Sequence, residues 1–133
     1  MTDSNTRIVN NRYLDGALWL AQALVAVSFC WAGVMKVATP IAQLALTWSW
    51  TGDLPASAVR LLGWVDLAGG LGVCLPAFWR FKPGLTSLAA LGCVLLQICA
   101  MVFHAARGEM AVLPVNAVFL AVCTFIAWGR WKR

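Results

Sequence analysis

The chain has 133 residues, of which 62% are hydrophobic and only 11% are charged, and its formal net charge is +5. Soluble domains carry about 25% charged residues, so this composition excludes an ordinary soluble domain. The basic residues stand in short groups between apolar runs, which is typical of a membrane protein and gives no support to nucleic-acid binding.

Four apolar runs of about 20 residues each are long enough to cross the hydrocarbon core of a bilayer as helices. They cover residues 16–35, 61–79, 84–103 and 110–128. We therefore expect an all-α fold, an integral membrane bundle of four transmembrane helices. Residues 13–133 are predicted to form that single domain, and residues 1–12 a polar cytoplasmic tail.

The first run carries small and polar residues at helical spacing, which place them on one face of the helix. They are Gln22, Val25, Ser28, Ala32 and Gly33. The run ends in Lys36, whose long side chain can reach water or turn inward to an acid.

A short helix is predicted between the first and second runs. Pro40 opens this segment, and Ile41, Leu44 and Trp48 follow with the spacing of one apolar helical face. Trp48 and the nearby Trp50 are typical anchors at a membrane–water interface, so we expect this helix to lie in the interface.

The second run contains one charge, Asp66, inside a glycine-rich apolar segment. An acid at such a position costs roughly 2.5–3.5 kcal/mol on insertion scales and is usually buried against a partner. Gly63, Gly69 and Gly70 lie near Asp66 at helical spacing, and small residues let other helices approach closely. We therefore expect Asp66 to point into the bundle.

The third run has a continuous face of small and polar residues: Thr86, Ala90, Cys93, Gln97, Ala100 and His104. The fourth run begins near Pro114 and carries Asn116 a little over one turn inside. In the four-span topology His104 and Asn116 lie at the same end of the bundle as Lys36 and Asp66. The predicted polar site consists of Lys36, Arg60, Asp66, Gln97, His104 and Asn116, and Arg107 and Glu109 are predicted at its rim.

The basic residues also predict an orientation. Most of them fall on one side of the four spans: Arg7, Arg12, Arg80, Lys82, Arg130, Lys132 and Arg133. An excess of Lys and Arg marks the cytoplasmic side, so both termini are predicted in the cytoplasm of a bacterial-type inner membrane. The polar site would then lie in the outer half of the bundle.

Two interpretations of the polar site stay open. Intramembrane ionisable residues usually serve a function, and Asp66 and His104 are the candidates for proton handling if the chain is catalytic. Alternatively, Asp66 pairs with Lys36 or with His104 and only fixes helix packing.

Few cofactors are compatible with these residues. A b-type haem usually needs two axial ligands and the chain has one histidine, and no His, Cys, Asp or Glu spacing matches a metal site. Trp31 and Trp64 lie deeper in the spans and could flank a flat ligand such as a quinone, although core packing is the preferred interpretation. The cysteines form no C-x-x-C pair and are predicted to be small core residues: Cys30, Cys74, Cys93, Cys99 and Cys123.

The segments AGVMK at 32–36 and LLGWVDLAGGLGVCLP at 61–76 resemble the DoxX-like family of small four-helix membrane proteins. The residues that carry the resemblance are Gly33, Lys36, Asp66, Gly72, Pro76, His104, Asn116, Gly129 and Arg130. The family usually has glutamate where this chain has Asp66. The resemblance implies membership of membrane redox systems, since the family name comes from a subunit associated with thiosulfate:quinone oxidoreduction.

The preferred expectation is a non-catalytic accessory or anchor subunit of a membrane redox or respiratory complex, acting with a protein partner or as a homo-oligomer. The alternative is a quinone-linked oxidoreductase component that uses Asp66 and His104. A small-molecule carrier is the weaker third option.

Overall fold

The computed structural model describes residues 2–79 and 84–131, which fold into helices joined by short turns. The helices are α1 (Thr2–Ala38), α2 (Ile41–Thr47), α3 (Ala56–Phe78), α4 (Gly84–Ala106) and α5 (Leu113–Trp131). Two 3₁₀ turns, Ser49–Gly52 and Met110–Val112, precede α3 and α5. Among the described residues, α1, α3, α4 and the segment ending with α5 are long and apolar enough to cross a membrane. The predicted bundle of four spans with a short helix after the first is confirmed.

The four long helices form a closed bundle in which α1 packs on α3 and α4 packs on α5. Contacts of α3 with α4 and of α1 with α5 complete the ring. Its core contains Val25, Phe29, Val73, Cys93 and Ile126, whereas many large apolar side chains face outward. We call the end at which α1 finishes the Lys36 end, and the end at which α5 finishes the Arg130 end.

Helices α1 and α3 approach closely because glycines lie where they cross. A Cβ atom added to Gly63 would lie 2.8 Å from Lys36 Cβ and 2.9 Å from the Gly33 carbonyl oxygen. One at Gly70 would lie 2.8 Å from Cys30 Sγ. Asp66 lies between these glycines on the same face of α3, so the close approach brings its carboxylate against α1.

The connection between α1 and α3 folds back over the Lys36 end. Pro40 precedes α2, Leu44 of α2 is fully buried, and the 3₁₀ turn follows at once. Thr51 Oγ1 donates a 2.7 Å hydrogen bond to the Trp48 carbonyl oxygen, which holds the turn that carries Trp50. The short helix and the turn that follows it therefore hold Trp48 and Trp50 against the bundle.

A second polar network lies at the Arg130 end. Arg130 is only 8% exposed. Its Nε donates to Gln22 Oε1 and its Nη1 to Asp15 Oδ1, both at 2.7 Å, and Gln22 Nε2 donates to the Val73 carbonyl oxygen, also at 2.7 Å. The network joins α1, α3 and α5. The sequence analysis counts Arg130 among the basic residues that mark the cytoplasmic side, and in the fold its guanidinium turns inward to the buried Gln22 and the half-buried Asp15.

Two sequence expectations concern the chain outside the spans. The segment predicted as a polar tail is helical from Thr2, because α1 continues through it without an internal glycine or proline before Gly16. Extending an existing helix costs less than starting one. The predicted basic turn at residues 80–83 and the basic residues Lys132 and Arg133 lie outside the described residues.

Replacing Gly63 by alanine tests the close crossing of α1 and α3. The added methyl group would meet Lys36, Val37 and the Gly33 backbone at 2.8–2.9 Å, and overpacking of this kind typically costs about 1–3 kcal/mol. We expect Gly63→Ala to lower the thermal unfolding midpoint in detergent. The control is Gly92→Ala in α4, where an added Cβ meets nothing within 4 Å. Equal stabilities of the two variants would contradict the crossing geometry.

Candidate functional site

The centre of the site is an ion pair between two spans. Lys36 Nζ, in the last turn of α1, donates a hydrogen bond to Asp66 Oδ2 of α3. The two side chains are only 14% and 9% exposed, so both charges are largely buried inside the bundle. The structure thus decides between the partners that the sequence left open, because Asp66 pairs with Lys36 and His104 with a different acid.

Two aromatic rings contact the Lys36 ammonium, and a neighbouring arginine fixes the Lys36 backbone. Its Nζ lies 5.4 Å from the ring centroid of Trp48 and 5.7 Å from that of Trp50, within the range of cation–π attraction. Arg60 Nη1 donates to the carbonyl oxygens of Lys36 and Thr39 at 2.5 and 2.7 Å. The last carbonyls of a helix lack intrahelical partners, so Arg60 caps the end of α1.

A chain of ionic contacts joins the two connections at this end. His104 Nδ1 donates to Glu109 Oε2 at 2.9 Å, and Arg107 Nε donates to the other oxygen of that carboxylate. Arg107 Nη2 donates to Asp53 Oδ2 at 2.6 Å. The hydrogen bonds from Arg107 and His104 hold the pKa of Glu109 below its usual range. The α1–α3 connection is therefore tied to the α4–α5 connection by charge.

A cavity of about 660 Å³ lies among these groups, within the usual range for small-molecule sites. Its polar lining consists of Lys36, Asp66, Gln97, His104, Glu109 and Asn116, together with Thr47 and Ser49. Its apolar and aromatic lining includes Trp48, Trp50, Leu54, Leu62, Leu96, Cys99, Ala100, Phe103 and Val115. Such a cavity suits a molecule with an apolar body and a few polar atoms.

Two amide atoms of the cavity wall are buried without a partner among the described residues. They are Gln97 Oε1, an acceptor on α4, and Asn116 Nδ2, a donor on α5. Gln97 as a whole is 8% exposed. A buried polar atom without a hydrogen bond costs about 1–3 kcal/mol, so each of these atoms favours a ligand that supplies the missing bond.

The structure gathers most of the predicted site residues around this cavity. Lys36, Asp66, Gln97, His104 and Asn116 line it, whereas Arg60 is outside the lining and acts on the end of α1.

The two tryptophans considered for a flat ligand lie elsewhere. Trp31 and Trp64 are 57% and 60% exposed and neither lines the cavity. Core packing, the preferred alternative for them, is also wrong, because both side chains are mostly exposed. Trp31 packs edge-on against the outer side of the site, with its ring centroid 5.6 Å from that of Trp48. Cys99 is exposed too, so the expectation of core cysteines fails there.

Sequence reasoning missed Trp48, Trp50 and Phe103 as parts of the site. Trp50 packs edge-on against Phe103 and His104, with ring centroids 5.9 and 6.2 Å apart. The sequence predicts Trp48 and Trp50 as interface anchors, and only the fold of their connection brings them over Lys36. Glu109, predicted at the rim of the polar site, lines the cavity and bonds His104.

These features define a class: a helical protein with four membrane spans and a buried ion pair beside a cavity at one end. The chain belongs to the DoxX-like family, whose model matches residues 20–126. The match reaches from α1 to α5 and includes every polar residue of the cavity. Neither a curated protein nor a solved structure matches the chain. In the described part of the chain, no group of three or more His, Cys, Asp or Glu side chains is arranged to hold a metal ion.

Neutralising Asp66 tests the ion pair. In Asp66→Asn the Lys36 ammonium loses its counter-charge in a mostly buried position, and breaking such a pair typically costs about 3–5 kcal/mol. We expect a large fall in the thermal unfolding midpoint in detergent. The double variant Lys36→Met/Asp66→Asn should recover much of it, because the uncompensated charge is gone. A double variant no more stable than Asp66→Asn would contradict the pairing.

Acidification tests the ionic chain at the connections. Because the folded state lowers the pKa of Glu109, this carboxylate contributes stability above the usual glutamate value of about 4.3. The contribution is lost as the pH falls through the lowered value in the folded protein. We expect the unfolding midpoint of Glu109→Gln to fall less than that of the unmodified protein between neutral and strongly acidic pH. Parallel pH profiles would show that Glu109 is not stabilised by these contacts.

Proposed function

We propose that this protein is the quinone-binding membrane subunit of a redox complex, with the quinone head group in the cavity at the Lys36 end. The observation that carries the proposal is the composition of that cavity. About 660 Å³ of mainly apolar and aromatic space ends in a small set of hydrogen-bonding groups. A quinone has the matching form, a flat apolar ring with polar oxygens.

The residues of the cavity fit such a ligand in a definite way. Trp48, Trp50 and Phe103 offer flat apolar surfaces to a ring. Lys36 and the Asn116 amide offer N–H donors to carbonyl oxygens, and the Asp66 carboxylate keeps the lysine ammonium in place. His104 is bonded to Glu109 through Nδ1, which leaves Nε2 as the ring nitrogen for a ligand.

A bound quinone supplies two-electron, two-proton chemistry, and the chain's residues bind and orient it. We assign the second redox centre of the reaction to a protein partner. In this way the anchoring role and the quinone-linked role belong to one protein. The positive-inside pattern supports placing the cavity towards the outer side of a bacterial-type inner membrane, with both termini in the cytoplasm.

Quinone binding by the purified protein tests the proposal. Because Trp48 and Trp50 line the cavity, a decyl-substituted benzoquinone is expected to quench part of the tryptophan fluorescence saturably. Ala100 lines the cavity, and a phenylalanine at this position would occupy part of it. We therefore expect Ala100→Phe to weaken binding at least tenfold, on the scale of a steric clash costing more than about 1.4 kcal/mol.

The matched control is Ala105→Phe, at an exposed position on the same helix outside the cavity lining. It should bind the benzoquinone like the unmodified protein. Absence of saturable quenching, or equal binding by both phenylalanine variants, would refute the cavity as a quinone site. If a redox protein nevertheless co-purified from native membranes, the anchoring role alone would remain.

A further inference from the structure

We infer that the cavity binds the reduced, hydroxyl-bearing quinol more tightly than the oxidised quinone. The inference rests on the proposed function and concerns the redox state that the site selects. It follows from the hydrogen-bonding groups of the wall, above all from the buried acceptor Gln97 Oε1.

Gln97 Oε1 needs a donor. The atom is buried and has no hydrogen-bond partner among residues 2–79 and 84–131, and its residue is more than nine-tenths buried in the cavity wall. A quinone carries carbonyl oxygens, which accept hydrogen bonds and donate none. A quinol carries hydroxyl groups, and each hydroxyl donates one hydrogen bond and accepts others. Of the two redox forms, only the quinol can donate a hydrogen bond to Gln97 Oε1.

A second acceptor in the wall acts in the same direction. Asp66 accepts from Lys36 through Oδ2, but a carboxylate has two oxygens and about four lone-pair directions. Asp66 lines the cavity beside the lysine, so its remaining capacity also suits an O–H group. A quinone carbonyl oxygen turned towards Gln97 Oε1 or the Asp66 carboxylate would be repelled, because both oxygens carry negative partial charge.

The donors of the wall do not cancel this preference. Asn116 Nδ2, on the helix adjacent to Gln97, has no partner in the described part of the chain and can donate to an oxygen of either redox form. A hydroxyl oxygen accepts this bond while its hydrogen serves an acceptor. Lys36, the other donor of the wall, can likewise donate to either form. The quinone therefore satisfies donors only, whereas the quinol satisfies the donors and the acceptor together.

The expected size of the preference follows from leaving one buried acceptor unpaired. Such a loss corresponds to about tenfold in affinity. Tighter binding of the reduced form raises the midpoint potential of the bound couple, by about 30 mV for each tenfold with two electrons. The bound quinone would therefore accept electrons more readily than quinone free in the bilayer.

A comparison of three ligands under anaerobic conditions tests the inference on the unmodified protein. They are the decyl-substituted benzoquinone, its hydroquinone, and the dimethyl ether of that hydroquinone, which keeps a similar shape but has no O–H group. We expect the hydroquinone to bind about tenfold more tightly than the quinone. The dimethyl ether should bind no more tightly than the quinone.

The variant Gln97→Met removes the acceptor and keeps an unbranched side chain. It should abolish most of the preference by weakening hydroquinone binding, with quinone binding nearly unchanged. The control is Thr124→Val, since Thr124 is exposed on α5 and bonds the carbonyl oxygen of its own helix. This variant should keep the full preference.

The outcomes separate the two proposals. Equal binding of hydroquinone and quinone, or tighter binding of the quinone, overturns the inference and leaves the proposed function standing. Failure of all three ligands to bind overturns both. A full preference in folded Gln97→Met overturns the role of Gln97, and if that variant does not fold, the three-ligand comparison on the unmodified protein decides.

Discussion

The ion pair between Lys36 and Asp66 is the contact around which this bundle is arranged. A single acid within an apolar span is unfavourable in a membrane unless a partner compensates its charge. The partner lies on the neighbouring span, and the two backbones can approach because Gly33 and Gly63 leave room where α1 and α3 cross. Arg60 then secures the end of α1, so the lysine is presented at a defined depth.

The connections complete a site that the spans begin. The spans supply the ion pair and the amides, whereas Trp48 and Trp50 come from the short segment between α1 and α3. Arg107 bonds both Asp53 and Glu109 and so joins the α1–α3 connection to the α4–α5 connection. The Arg130 network ties the other end of the bundle, so polar contacts hold both ends around an apolar middle.

The balance of donors and acceptors in the cavity says more about its ligand than the cavity volume does. A volume of about 660 Å³ accommodates many small molecules. Buried amide atoms discriminate among them, because a ligand that leaves such an atom without a hydrogen bond binds less tightly. In the proposed quinone site, Gln97 and Asn116 would therefore select the hydrogen-bonding groups of the ligand, and the aromatic residues would select its shape.

Much of this protein could be predicted from its sequence. Apolar length gives the four spans, and helical spacing gives the inward face of Asp66, Gln97 and His104, because both follow from the geometry of a single helix. Spacing within one helix does not give its rotation against its neighbours, so the partner of Asp66 and the outward faces of Trp31 and Trp64 required the tertiary structure. The path of an irregular connection has no sequence period, and only the fold brings Trp48 and Trp50 to the cavity.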